Sequence, residues 1–149
     1  MSPPSRDQLL QTTKLFLEAF NEFTAESVVR YRSPSCIQHI LPTTLKIPQQ
    51  TNAEYASFVD TLKTFMPGFK IQLVDGEEPV VDDVARKVVL HLKSRSETKA
   101  GLYQNEYMWI LTLSQDGKSV DDVLEFADSL YTSEWLPKFQ NAGAEGAKN

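Results

Sequence analysis

Glu125 stands in an otherwise apolar segment, with Leu124 and Phe126 as chain neighbours and Val123 and Ala127 two residues away on either side. On a strand that spacing puts Glu125 on the same face as Val123 and Ala127. A carboxylate among hydrocarbon neighbours is costly unless it is paired or neutralised, so a raised pKa or a cationic partner is expected. A carboxyl tuned towards neutrality is a general base or acid. Upstream, Gly101 to Leu113 reads as one strand that ends at the Ser114-Gln115-Asp116-Gly117 turn, and Tyr103, Asn105, Tyr107 and Trp109 share one of its faces. Two phenols and an amide on one face are suited to holding an oxygen-bearing ligand by hydrogen bonds. The plainer readings are a structural ion pair for Glu125 and core aromatics for the tyrosines.

The elements that must position these groups come in a simple order. Asp7 to Phe20 carries Leu9, Thr13, Phe16 and Phe20 at helical spacing behind a Ser5/Gln8 capping pair. A short second helix is predicted over residues 25–31, capped by Thr24 and closed near Arg32 by Pro34. Cys36 to Leu41 reads as a short strand. A third helix runs from Thr51 or Asn52 to about Met66 with a stripe that includes Tyr55, Phe58 and Leu62. Glu54 completes a capping box with Thr51, which favours a structural role. The rest is sheet: 69–75, a short edge at 80–83, 85–96, the tyrosine strand, and 119–130 after the Asp116-Gly117 hairpin. Ser133 to Leu136 is expected to form a last helical turn, and 141–149 a flexible tail. Three helices followed by antiparallel strands make an α+β cone, in which a curved sheet wraps the helices and leaves a pocket at its open end.

Composition bounds the rest. At 149 residues the chain is read as a single domain, 1–149, with its core over about 7–131. A net charge of −5 argues against nucleic acid and anionic membranes as partners. No apolar run reaches membrane-spanning length, and the start lacks a secretory pattern, so a cytoplasmic protein is expected. The single Cys36 is expected to be a buried packing residue. No motif for a metal or nucleotide is present, so no cofactor is expected and the chemistry must be acid–base and positional. Met108, Ile110, Leu124 and Phe126 fall on the strand face away from the tyrosines, an apolar patch that leads to the expectation of a homodimer.

Residue by residue, Arg32-Ser33-Pro34-Ser35-Cys36, Ile40-Leu41-Pro42, Asn52-Ala53-Glu54-Tyr55, Gly101-Leu102-Tyr103-Gln104-Asn105-Glu106-Tyr107 and Glu125-Phe126-Ala127-Asp128-Ser129 resemble the signature of small fungal isomerases. These are SnoaL-like members of the nuclear transport factor 2-like superfamily, and the resemblance covers about 7–131. It implies a stand-alone, cofactor-independent isomerase or cyclase of natural-product biosynthesis, acting on a meroterpenoid or an indole alkaloid through a semipinacol-type or related ring rearrangement. It also implies that Arg32, Tyr103, Tyr107 and Glu125 are catalytic, with Arg32 as the cation beside Glu125. His39, Phe58, Leu62, Asn105 and Trp109 are the expected substrate-binding residues, and Trp109 is expected to close the deep end against Phe16, Phe20, Phe58 and Leu62. Two other readings stay open: a dehydratase or polyketide cyclase built on His39 and Asp60, and a dimeric ligand-binding module without catalysis.

Overall fold

The computed structural model describes residues 2–147, with side chains through Asn141. Helix α1 (Arg6–Glu22) starts where the Ser5 hydroxyl accepts a hydrogen bond from the Gln8 N–H, and stops where Phe23 turns into the left-handed region at φ 54°. It buries the expected stripe of Leu9, Thr13, Phe16 and Phe20. The second helix contracts to one 3₁₀ turn, Ser27–Val29, because Thr24 and Ser27 exchange side-chain-to-backbone hydrogen bonds that hold a tight turn. Arg32 therefore opens strand β1 (Arg32–Leu41) and does not close a helix. Pro34 has no N–H for a ladder, and the register shifts around it between Arg32 and Ile37. Helix α2 (Asn52–Leu62) begins at the Thr51/Glu54 capping box and ends short of Met66.

Strands β2 (Lys70–Leu73), β3 (Val80–Asp82), β4 (Lys87–Thr98), β5 (Gly101–Tyr103), β6 (Glu106–Leu113) and β7 (Val120–Ala127) join β1 in one curled sheet. The order is β1-β7-β6-β4-β2, with β3 and β5 paired to β4. β4 pairs first with β6 and then, past Lys93, with β5, which carries the curl along its length. The sheet is mixed where an antiparallel one was expected, since β1 runs parallel to β7. No hairpin joins these two strands, so turn geometry does not dictate their direction. The expected long strand from Gly101 is interrupted after Tyr103: Asn105 lies between β5 and β6, and its side-chain oxygen accepts the Glu106 N–H at 2.8 Å. Tyr103, Asn105 and Tyr107 nevertheless stay buried on the same side.

The largest departure is the C-terminal helix α3 (Ser129–Ala147), of which only one turn was expected. β7 stops at Ala127 because the Asp128 carboxylate accepts the Tyr131 N–H at 3.1 Å and starts the helix. Tyr131, Trp135 and Phe139 then surround the Tyr103 ring at centroid distances of 5.5, 5.1 and 5.9 Å. Pro137 lies inside this helix, which is why the sequence reads there as a break. The tail expected over 141–149 has helical backbone as far as Ala147, and its last two positions lie outside the described residues. No helix among the described residues is long and apolar enough to cross a membrane.

At the closed end Trp109, 1 % exposed, meets Phe16 and Phe20 edge-on at 6.3 and 5.3 Å. Phe58 does not join it: at 39 % exposure it stacks on Tyr55 and stands at the rim. Trp109→Ala should lower stability by about 3–5 kcal/mol, since the indole fills space between α1 and the sheet that cannot collapse fully. Urea unfolding of the variant checks this, with an unchanged midpoint counting against it.

Candidate active site

The cone encloses a cavity of about 340 Å³, within the size range of small-molecule sites. Its wall is mostly hydrocarbon: Phe58 and Leu62 of α2, Phe69, Ile40 of β1 and Phe139 of α3 all line it. Most of the polar groups on that wall are gathered around β6 and β7, which is the arrangement that orients a ligand. Glu125, Tyr103, Asn105, Tyr107 and Trp109 are all there. Antiparallel pairing explains their grouping, because Trp109 lies directly across from Glu125, and Tyr107 across from Ala127.

Glu125 has Val123, fully buried, and Ala127, 3 % exposed, on its own face. Among the described residues one hydrogen bond reaches it, from Gln38 Nε2 to Oε1 at 3.0 Å. Burial pushes its pKa up from the ordinary 4.5 to about 7, while the Arg32 charge and the Gln38 hydrogen bond pull the other way. Gln38 itself is fully buried, and its Oε1 has no partner among the described residues.

The tyrosines form a connected network. Asn105 Nδ2 donates to Tyr103 Oη at 2.8 Å and to Thr132 Oγ1 at 3.0 Å. Tyr103 Oη and Tyr107 Oη are 3.4 Å apart, and Tyr107 Oη lies 2.8 Å from Ser94 Oγ. The Asn105 backbone N–H donates to that same Ser94 oxygen at 3.2 Å. Burial raises the pKa of both phenols, so they are neutral hydrogen-bonding groups and not phenolates.

Two expected residues stand elsewhere. Arg32 is 7 % exposed and does not line the cavity. Its Nε donates to the Val28 carbonyl at 2.9 Å, Nη1 faces Cys36 Sγ at 3.9 Å, and Nη2 has no partner among the described residues. Its guanidinium is held against the rings of Tyr55 and Phe16, 4.4 and 5.4 Å from their centroids. The ion pair with Glu125 that the resemblance led us to expect is therefore not made. Arg32 reaches Glu125 only through its field, and Tyr55 both contacts the cation and lines the cavity. His39 is the other correction. Strand alternation in β1 turns Cys36, Gln38 and Ile40 inward and His39 outward, where Nε2 pairs with Asp122 Oδ1 at 2.9 Å. Asp60, its supposed partner, pairs with Lys63 at 2.7 Å on an exposed face of α2.

Sequence reasoning passed over Gln38, Tyr55 and the α3 residues Thr132 and Phe139. A polar residue at the inward parity of a strand was the available signal for Gln38; Tyr55 was lost among the apolar stripe of its helix.

Comparison with known proteins places this geometry. The chain is 39% identical over 138 residues to austinoid biosynthesis clusters protein H of Penicillium brasilianum, across 92% of this chain and 94% of the relative. Among solved structures, BvnE pinacolase from Penicillium brevicompactum superposes with a TM-score of 0.87 at 37% identity, covering 92% of this chain and 93% of that one. AusH from Aspergillus nidulans gives 0.80 at 40% identity, covering 85% and 88%. The chain belongs to the SnoaL-like isomerase family of fungal secondary metabolism. The wider SnoaL-like fold is shared by a putative polyketide cyclase from Jannaschia at 14% identity and a TM-score of 0.67, a likeness of fold alone. No family model matches the chain.

The raised pKa of Glu125 carries a signed consequence for stability. A carboxyl whose folded pKa lies above its unfolded value stabilises the fold fully below the unfolded pKa and loses that contribution as pH rises through the folded one. The window here runs from 4.5 to about 7. Wild type should lose on the order of 1–3 kcal/mol relative to Glu125→Gln between pH 5 and pH 8. Urea unfolding of both proteins at the two pH values measures the difference, and a constant gap would contradict it.

Proposed function

We propose that this protein is an isomerase that binds a bulky, largely apolar natural product and steers a semipinacol-type or related ring rearrangement by proton transfer, without a cofactor. The observation that carries the reading is a carboxyl poised near neutrality on a hydrocarbon cavity wall, beside a network of neutral phenols. In such a rearrangement a hydroxyl-bearing carbon becomes a carbonyl while a neighbouring bond migrates. The Glu125 carboxylate takes the hydroxyl proton as the bond migrates, a tyrosine hydroxyl donates a hydrogen bond to the oxygen or nitrogen that receives the electron pair, and that atom then takes the proton back from the Glu125 carboxylic acid, so that the product is an isomer of the substrate. Arg32, behind Tyr55, biases Glu125 through its charge and does not contact the substrate. Asn105 and Trp109 fix the wall, and Phe58 and Leu62 hold the hydrocarbon. An indole alkaloid or a meroterpenoid fits a pocket of this character, and the names of the relatives, a pinacolase and an austinoid-cluster protein, support both the reaction class and the setting. The reading takes the enzyme to be cytoplasmic.

The dehydratase or cyclase alternative loses its supposed histidine–aspartate pair, since His39 and Asp60 bond elsewhere. Deleting the gene in the producing fungus separates the isomerase from the dehydratase by mass. An isomerase leaves a precursor of the same mass as the lost product, whereas a dehydratase leaves one heavier by a water.

The reading includes a homodimer formed sheet to sheet. Met108 and Phe126 are cross-strand neighbours on the outer face, 42 % and 52 % exposed. Phe126→Asp should convert a dimer to a monomer in light scattering, and a wild-type monomer at micromolar concentration would end this part of the proposal.

Glu125→Gln should slow the rearrangement by about 10²- to 10⁴-fold with the fold intact. Tyr103→Phe and Tyr107→Phe should cost less rate and should first degrade the ratio of products, since they remove positioning and not the base. Chromatography of products from each variant on the accumulated precursor decides; a fully active Glu125→Gln enzyme would refute the assignment.

A further inference from the structure

Gln38 is the fully buried polar side chain of β1 that reaches Glu125, and it uses only one end of its amide. Nε2 donates to Glu125 Oε1 at 3.0 Å, while Oε1 is buried and has no partner among the described residues. Its backbone is held independently, by a reciprocal pair with Gln50: the Gln38 N–H donates to the Gln50 carbonyl at 2.9 Å and the Gln50 N–H to the Gln38 carbonyl at 3.0 Å. The side chain is thus anchored at its root, and its free end contacts one titratable group.

A buried amide oxygen without a donor is uncommon in a native protein and calls for an explanation. Proton transfer at Glu125 supplies one. A carboxylate accepts hydrogen bonds only, whereas a carboxylic acid also donates one. An amide carries a donor and an acceptor on the same carbon, so a half-turn about its last side-chain bond exchanges the two. Because Oε1 has no other partner, that half-turn breaks no bond except the one to Glu125.

We propose that Gln38 is a positioning residue whose amide follows the Glu125 proton, with its NH₂ towards the carboxylate and its oxygen towards the carboxylic acid. The proposal rests on Glu125 being the group that exchanges a proton with substrate. Gln38 would then hold one carboxyl oxygen in either state and leave the other to face the cavity. The remaining groups that act on Glu125 are few: Arg32 of β1, Tyr55 of α2, and Tyr103 and Tyr107 of β5 and β6. Arg32 is a permanent cation and the phenols are neutral until well above pH 7, so none of them changes its charge while Glu125 titrates.

The test needs no substrate. In wild-type protein labelled with ¹³C and ¹⁵N, the Glu125 carboxyl carbon, assigned through Glu125→Gln, is followed by NMR across pH 5 to 9 together with the Gln38 side-chain NH₂. The Gln38 resonance should move with the same midpoint as the Glu125 carbon; a Gln38 resonance that stays fixed while Glu125 titrates overturns the proposal. Gln38→Met keeps the length and removes both ends of the amide. Hydrogen bonds to a charged group are about twice as strong as neutral ones, so the variant loses more from the carboxylate than from the acid. Its Glu125 midpoint should rise by about one pH unit. An unchanged midpoint in a folded Gln38→Met protein reduces Gln38 to packing and also overturns the proposal, while the wild-type titration decides even where the variant does not fold. Should Gln38 track Glu125 while Glu125→Gln retains full activity, the amide switch stands and the catalytic reading of Glu125 falls.

Discussion

A carboxyl group facing hydrocarbon is the constraint on which the arrangement of this protein depends. Partial burial of Glu125 on a hydrocarbon wall disfavours its charged form, and the fold answers with partial compensation: a hydrogen bond from Gln38 and the field of Arg32 beyond contact distance. Full compensation by a direct ion pair would drop the pKa below the useful range, and none at all would leave the group protonated throughout. The intermediate outcome, about 7, is the range in which a carboxyl can both take and return a proton.

That compensation depends on the parallel pairing of β1 with β7. The register sets Gln38 beside Val123 and Ile40 beside Glu125, so the amide needs to reach only one step along the neighbouring strand. The same pairing brings the Arg32 end of β1 to the start of β7 at Val120. There the guanidinium is wedged between Phe16 of α1 and Tyr55 of α2, so that one cation ties both helices to the sheet edge. Its lack of a carboxylate partner is compatible with burial because aromatic faces and a backbone carbonyl share its charge.

Alternation along a strand is a strong local rule, and it placed Glu125, Tyr103, Asn105, Tyr107 and Trp109 on one wall even though the strand breaks at Asn105. Applied to β1, the same rule would have turned His39 outward and Gln38 inward; the histidine drew attention by its chemistry, and the glutamine was passed over for lack of it. Arg32 was placed by analogy, and its stacking between two rings depends on helix positions that no local pattern encodes. α3 reads as a single turn in the sequence because Pro137 and the small residues beyond it oppose helix formation locally, while the packing of Tyr131, Trp135 and Phe139 around Tyr103 is a tertiary gain. Strand direction was the remaining gap, since antiparallel order follows from hairpins and β1 has none.

The direction of the tyrosine network can be worked out from the backbone. The Glu106 N–H requires an acceptor, so the Asn105 side-chain oxygen must face it, and this orients the NH₂ towards Tyr103 and Thr132. Tyr103 therefore accepts from Asn105, and its own proton is left for Tyr107 or for the cavity. Ser94 is constrained in the same way: its oxygen already accepts from the Asn105 backbone N–H, which favours donation of its proton to Tyr107. A Tyr107 oxygen that accepts from Ser94, and from Tyr103 across the longer 3.4 Å contact, has its own proton free for the cavity. Tyr107 thus presents a donor to the ligand, while Glu125 on the adjacent strand presents an acceptor whenever it is ionised. Two backbone N–H groups at a strand break set this polarity, so the interruption at Asn105 is what separates the donor side of the wall from the acceptor side.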